Sequence, residues 1–232
     1  MALGIVQTAE HYANATGSGG TFDAGSNFTT GSTVFFRCSG WPGVFDAVTI
    51  GGVAATLDQT ADAGTTDTYA VWRAKGAFSG KSVVTGTGPS YFIGDIIEVS
   101  DLATGGPQTV GSATGNSTTP AATCSTAATT ADSLVLAGWS NGSDGQHSTA
   151  ASTGFTHGFG NLAPAAEGGG GAHKIVASTA THTASFSGLG SAIFWACAVS
   201  SYAAAGGGGG SVSDPIESAS RRHVRRSAVY RM

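Results

Sequence analysis

The chain reads as short apolar or alternating runs broken by Gly, Ser, Thr and Asn. In "STVFFRCSG" (32–40), Val34, Phe36 and Cys38 alternate with Phe35, Arg37 and Ser39, the two-residue period of a strand. In "DAVTIGGVAATLD" (46–58), Val48 and Ile50 precede Gly51-Gly52, and Val53, Ala55 and Leu57 follow. Two glycines between alternating runs predict a tight primed-turn hairpin, because both central residues need positive φ. Further strands are expected in "DTYAVWRAKG" (67–76), "KSVVTGTG" (81–88), "YFIGDIIEVSDL" (91–102) and "DSLVLAGWS" (132–140). "AHKIVASTA" (172–180), "THTASFSG" (181–188) and "SAIFWACAVSSY" (191–202) complete the set. The last is apolar on both faces, as a strand in the middle of a covered sheet must be. No segment from 1 to 205 holds a convincing 3.6-residue period. The pattern predicts an all-β protein, an antiparallel β-sandwich with Gly-rich turns. Residues 103–131 read as a long loop with one Thr-rich strand near 121–130, and "EGGGGAHK" (167–174) reads as a flexible loop.

After residue 205 the pattern changes. Residues 206–212 are a Gly-rich linker, and 213–232 form a separate basic segment. Asp214-Pro215-Ile216-Glu217 reads as an N-cap, a proline at the first helical position and a glutamate three residues after the cap. On a helix, Arg221, Arg222, Arg225 and Arg226 share one face, and Ile216, Val224 and Tyr230 lie roughly opposite. The expectation is a 1–205 sandwich domain, a glycine tether, and a short basic helix or tail that needs something to dock on.

Charge sharpens this division. Only 10% of the 232 residues are charged, against about a quarter in ordinary globular chains. Residues 1–205 carry 5 Lys/Arg and 12 Asp/Glu, a net of −7; residues 206–232 carry 5 Arg and 2 acids, a net of +3. The body lacks the cations to neutralise phosphates, so nucleic acid is not the expected partner. Three cysteines without a C-x-x-C spacing are no disulfide framework or zinc site; Cys38 and Cys197 read as buried hydrophobes. The first residues lack a secretory-signal pattern, and the longest apolar run, Ile193 to Val199, is too short to span a bilayer.

The order of "VTIGGVAATLD", "DTYAVWRAKG", "DIIEVSDLATGGP", "TTADSLVLAGWS", "AHKIVASTATHTASFS" and "SAIFWACAVSSY" resembles the jelly-roll-like β-sandwich domains of bacteriophage virion accessory proteins, such as tail-fibre, capsid-fibre and decoration proteins. The likeness covers about residues 5–202 and excludes the basic tail. It implies a jelly-roll-like sandwich, a virion location, other virion proteins of the capsid or tail as partners, and a homo-oligomer. It implies neither catalytic residues nor a cofactor.

Candidate chemistry is sparse. "GWSNG" (138–142) matches the G-x-S-x-G of serine hydrolases, but no helix pattern follows Ser140, as the strand-to-helix elbow requires. No pair of the six histidines has a metal-site spacing; His173 and His182 could face each other across a hairpin. Trp139 opens a polar loop, and a flat ring beside Asn141, Asp144, Gln146 and His147 is what a host-surface glycan needs. Trp41 in "SGWPG" is a second sugar candidate, whereas Trp72 and Trp195 read as core. The arginines are the strongest feature: Arg221, Arg222, Arg225 and Arg226, with Tyr230, form a docking peptide, since guanidinium pairs bidentately with carboxylates. The first expectation is a non-enzymatic virion protein anchored by this segment; the alternative is a glycan-binding module using the Trp139 loop.

Overall fold

The computed structural model describes residues 2–14, 19–62, 64, 67–141, 146, 148–160 and 168–206. The segment 213–232, with its expected helix and arginine face, lies outside the described residues. Among those described there are strands and no helix: an all-β, antiparallel sandwich.

The first half of the chain forms β1 (Gly4–Asn14), β2 (Thr21–Asp23), β3 (Thr33–Trp41), β4 (Val48–Ile50), β5 (Val53–Ala54), β6 (Thr56–Asp62), β7 (Thr68–Lys75), β8 (Ser82–Thr85) and β9 (Tyr91–Ser100). Their pairing is nested, first with last: β1 with β9, β2 with β8, β3 with β7, and β4 with β5. This folds the half into a large sheet ordered β1-β9-β3-β7-β6 and a small one ordered β2-β8-β4-β5, the jelly-roll arrangement. The Gly51-Gly52 hairpin is present as expected: φ is 54° and 82°, and Ile50 pairs with Val53.

The second half repeats the plan. It forms β10 (Thr109–Ser117), β11 (Ala121–Thr123), β12 (Ser133–Asn141), β13 (Ala150–Ala151), β14 (Thr156–His157), β15 (Gly168–Val176), β16 (Thr183–Ser187) and β17 (Ile193–Ala203). β10 pairs with β17, β11 with β16 and β12 with β15. The large sheet is ordered β10-β17-β12-β15-β14, position for position the order of the first half, and the small one β11-β16-β13, with no counterpart of β5 among the described residues.

The two large sheets stack with β3 against β12 at the centre, β9 over β15 and β7 against β17, so the halves are related by an approximate two-fold axis. Three apolar layers result. Phe35, Val71, Ile93 and Ile97 meet Leu134, Leu136, Ala198 and Tyr202 between the large sheets. Phe36, Trp72, Phe92 and Ile96 lie under the first small sheet. Val135, Trp139, Trp195 and Cys197 lie under the second. Trp72, Trp195, Cys38 and Cys197 are buried as the sequence predicts, and Cys124 joins them.

Two expectations are corrected. Residues 109–117 are an edge strand, not a loop; their small residues alternate in burial along β10, and Gly115 lies under the Trp195 ring. Residues 168–171 are not a flexible loop but the start of buried β15. There the glycines admit neighbours: a Cβ would sit 2.7 Å from Ser39 Oγ at Gly169, 2.1 Å from Ser148 Oγ at Gly170 and 2.3 Å from the Phe159 ring at Gly171. His173 and His182 do not face each other, since β15 and the approach to β16 belong to different sheets.

The same close approach makes a stability test. A Cβ on Gly138 of β12 would lie 2.0 Å from the Tyr69 ring, which comes from the facing sheet. Gly138→Ala should therefore cost about 2–3 kcal/mol and lower Tm by roughly 4–12 °C. Gly105→Ala, where nothing lies within 4 Å, should stay within about 0.5 kcal/mol of the parent by thermal denaturation.

Candidate functional site

The Trp139 glycan site is overturned by burial. Along β12, Leu134 and Leu136 point between the large sheets, so Trp139 points to the other side, and the second small sheet covers it. Trp139 is 0% exposed, and its Nε1–H donates to Ser148 Oγ at 3.1 Å. No sugar can stack on it. Asn141 is also buried, over Gly168, with neither amide atom partnered. Gln146 is tied to Ser191 through both its amide nitrogen (2.6 Å) and its amide oxygen (3.3 Å). Asp144 and His147 lie outside the described residues, as do Arg221, Arg222, Arg225, Arg226 and Tyr230. Ser140 of the G-x-S-x-G match is fully buried in mid-sheet, and its hydroxyl donates to Ser39 Oγ at 2.8 Å.

The structure instead assembles a polar seam between the large sheets. Arg37, on β3, is 0% exposed. Its Nε and Nη2 donate to the two carboxylate oxygens of Asp95 on β9, at 2.8 and 2.5 Å. Its Nη1 crosses to the other half and donates to the carbonyls of Ala137 (3.1 Å) and Ala172 (2.5 Å). The Phe159 ring lies 5.8 Å from the guanidinium carbon. Gly158 completes the fit, because a Cβ there would meet both Asp95 and Arg37 within 3 Å. Two residues along β3, the Ser39 hydroxyl donates to Gly168 O at 2.9 Å.

Two histidines border this seam. Burial pushes the His173 imidazole down to about 4, with Arg37 adding to the effect and Asp95 opposing it. Burial and Arg37 also lower His157, whose Nε2 is 3.1 Å from Ser148 Oγ. Ser148 is itself fully buried and also accepts from Trp139 Nε1–H. The seam therefore ties the two halves together. Sequence reasoning missed it; the available signal was two opposite charges, Arg37 and Asp95, in otherwise apolar strands.

The ends of the strands differ in chemistry. At one pole Leu102 bridges Ala204, so β9 and β17 finish together, and Gly206 follows. A groove of about 340 Å³ opens there, lined by Ala2, Leu3, Asp132, Ile175, Ala204, Ala205 and Gly206. At the opposite pole β3 ends at Trp41, which pairs with Tyr91 at the start of β9. Trp41 is 41% exposed, and the two ring centroids are 6.1 Å apart at 31°. No group of three or more His, Cys, Asp or Glu suited to a metal ion occurs among the described residues.

Removing half of the buried pair should cost more than removing both. Arg37→Leu alone leaves Asp95 buried without a counter-charge and should lose about 3–5 kcal/mol in denaturant unfolding. The double variant Arg37→Leu with Asp95→Leu should recover much of that loss. His173 gives a pH signature. The folded state holds the imidazole neutral, whereas the unfolded chain takes up a proton near its ordinary value of 6.5. Stability from this group is thus complete above about pH 6.5, falls as pH drops towards 4, and flattens below. Unfolding free energy against pH should show this decline, and His173→Gln should remove that part of it.

Comparison with known proteins finds no family model, no curated protein and no solved structure that matches this chain.

Proposed function

We propose that the protein is a non-enzymatic structural component of a virion, of the decoration or fibre type, anchored to another capsid or tail protein through its basic segment 213–232. The observation that carries the reading is polarity. A rigid, doubly covered jelly-roll body sends its chain out at one pole, through Gly206, into a glycine tether and then the arginines. Such a body suits display: the central strands β3, β9, β12 and β17 of its large sheets are buried on both faces, and its N-terminal strand begins at the same pole where the chain leaves. Jelly rolls serve both viral capsid and lectin domains, so the architecture is compatible with the reading without deciding it. The sequence resemblance to virion accessory domains points the same way.

The arginines supply the anchor chemistry. Guanidinium–carboxylate pairs at a partly desolvated interface are worth about 1.5–3 kcal/mol each, so losing four is decisive. A chain ending at Gly206 should keep its thermal midpoint and β-rich circular dichroism, because the body closes its own core before that point. The truncated chain should fail to join the particle. Replacing Arg221, Arg222, Arg225 and Arg226 with glutamate should do the same, while lysine at these positions should weaken attachment less. Occupancy on purified particles, measured at two salt concentrations, checks this. Wild-type occupancy of the truncated chain would overturn the reading.

A further inference from the structure

We propose that the pole opposite the chain exit carries a saccharide-binding platform, with the Trp41 ring as its stacking face and Tyr91 as its flank. Trp41 is the only exposed tryptophan of the four: Trp72 is 6% exposed, Trp139 0% and Trp195 8%. Its position is fixed from below. Its carbonyl accepts from Ser90 N–H at 2.8 Å, Asp46 N–H donates to Thr87 O at 2.8 Å, and Gly86 N–H donates to Ala47 O at 2.8 Å. These bonds zip the 41–47 loop to the 86–91 loop, over a base formed by Phe45 and Phe92. The ring is thus held out on a rigid rim, which keeps the ordering cost of binding low.

The chemistry selects the occupant. An exposed indole face carries negative quadrupole density, and it takes the polarised C–H face of a pyranose. Exposed Asp46 and Thr87 and half-buried Ser90 stand on the same loops and provide acceptors and hydroxyls for a sugar's O–H groups. The exposed part of Trp41 amounts to about 100 Å². That is the scale of a single ring contact, on which a pyranose stacks on one aromatic face. The body's net charge of −7 over 1–205, with Asp46 on the rim, favours a neutral saccharide over an acidic one. In the second half Phe194 corresponds to Tyr91 by strand register and is 63% exposed, and Asn141 corresponds to Gly40; the next residue in the sequence is Gly142, which carries no ring.

The inference is independent of the anchor reading, because it uses the body alone and the far pole. The full chain is applied to an array of neutral hexose and N-acetylhexosamine oligosaccharides, and each hit is titrated while tryptophan emission is followed. The expected result is retention of at least one neutral oligosaccharide, with a blue shift of emission that comes from Trp41. Trp41→Ala should weaken binding at least about tenfold and abolish the shift, and Tyr91→Leu should weaken it less. Trp41→Phe, which preserves an aromatic face, should retain part of the affinity. Retention of no neutral saccharide by the full chain would overturn the proposal, as would binding that Trp41→Phe and Tyr91→Leu both leave unchanged without any emission shift in the parent.

Discussion

The buried pairing of Arg37 with Asp95 is the constraint on which the rest of the structure turns. The guanidinium crosses the plane between the two large sheets, taking a carboxylate from its own half and two carbonyls from the other. A buried ion pair contributes little net stability over well-packed apolar residues, since desolvation offsets most of the attraction. Its effect here is on register. The facing surface of the second half is built largely of Ala, Gly and Leu, which would tolerate sliding. A shift of one residue along β12 would take the carbonyls of Ala137 and Ala172 away from Nη1 and strand a charge in the core. The pair therefore admits one way of stacking the halves, and every position at either pole inherits that choice.

Duplication explains the composition. Two jelly rolls stacked through their large sheets leave those sheets covered on both faces, by each other and by the small sheets outside. Strands covered on both sides cannot alternate apolar with charged residues, so β3, β9, β12 and β17 have almost no place for charge. Gly138 and Gly169 serve the same stacking, since a Cβ on either would meet Tyr69 or Ser39 of the facing sheet. Aligning the halves on their last paired residues, Gly40–Thr68 and Asn141–Gly168, sets Ser39 in the place of Ser140, Arg37 in that of Gly138, and Tyr69 in that of Gly169. The first half supplies the large or charged side chains at the seam and the second supplies the space for them. Two identical halves could not fit this way, so the residues at the seam must differ between the two halves.

What could be read from the sequence follows from this layering. The glycine-pair hairpin was legible because positive φ at two adjacent positions has few sequence solutions, and 191–202 was legible as a central strand because both its faces are apolar. Trp139 was not. A tryptophan at the end of an alternating strand looks the same whether its outer face meets water or another sheet, and the covering sheet is made of short strands far away in the chain. The run 168–171 failed for a related reason: glycines that permit flexibility and glycines that permit close approach are the same residues, and only the neighbours distinguish them. The jelly-roll order itself depends on nested, long-range pairings, to which local periodicity is blind.

The separation of charge between body and tail has its own logic. An acidic body and a basic segment on one chain attract, and self-docking would compete with any partner. The linker at 206–212 can extend up to about 23 Å, which is well beyond the roughly 8–10 Å over which charges are felt at physiological ionic strength. Within the body Arg37 pairs with Asp95, Arg73 with Asp58 and Lys81 with Asp23, and five cations cannot balance twelve acids. Glu98 is held by Gln7, Thr29 and Ser32, whose hydrogen bonds outweigh burial and keep its carboxyl below the usual range. A tethered cationic segment therefore has acids within reach on its own fold, exposed Asp132 at the exit pole among them, so a partner that takes the segment must present a denser carboxylate surface than the body does. The aromatic pole lies about 25 Å away along β3 and carries exposed Asp46 on its rim.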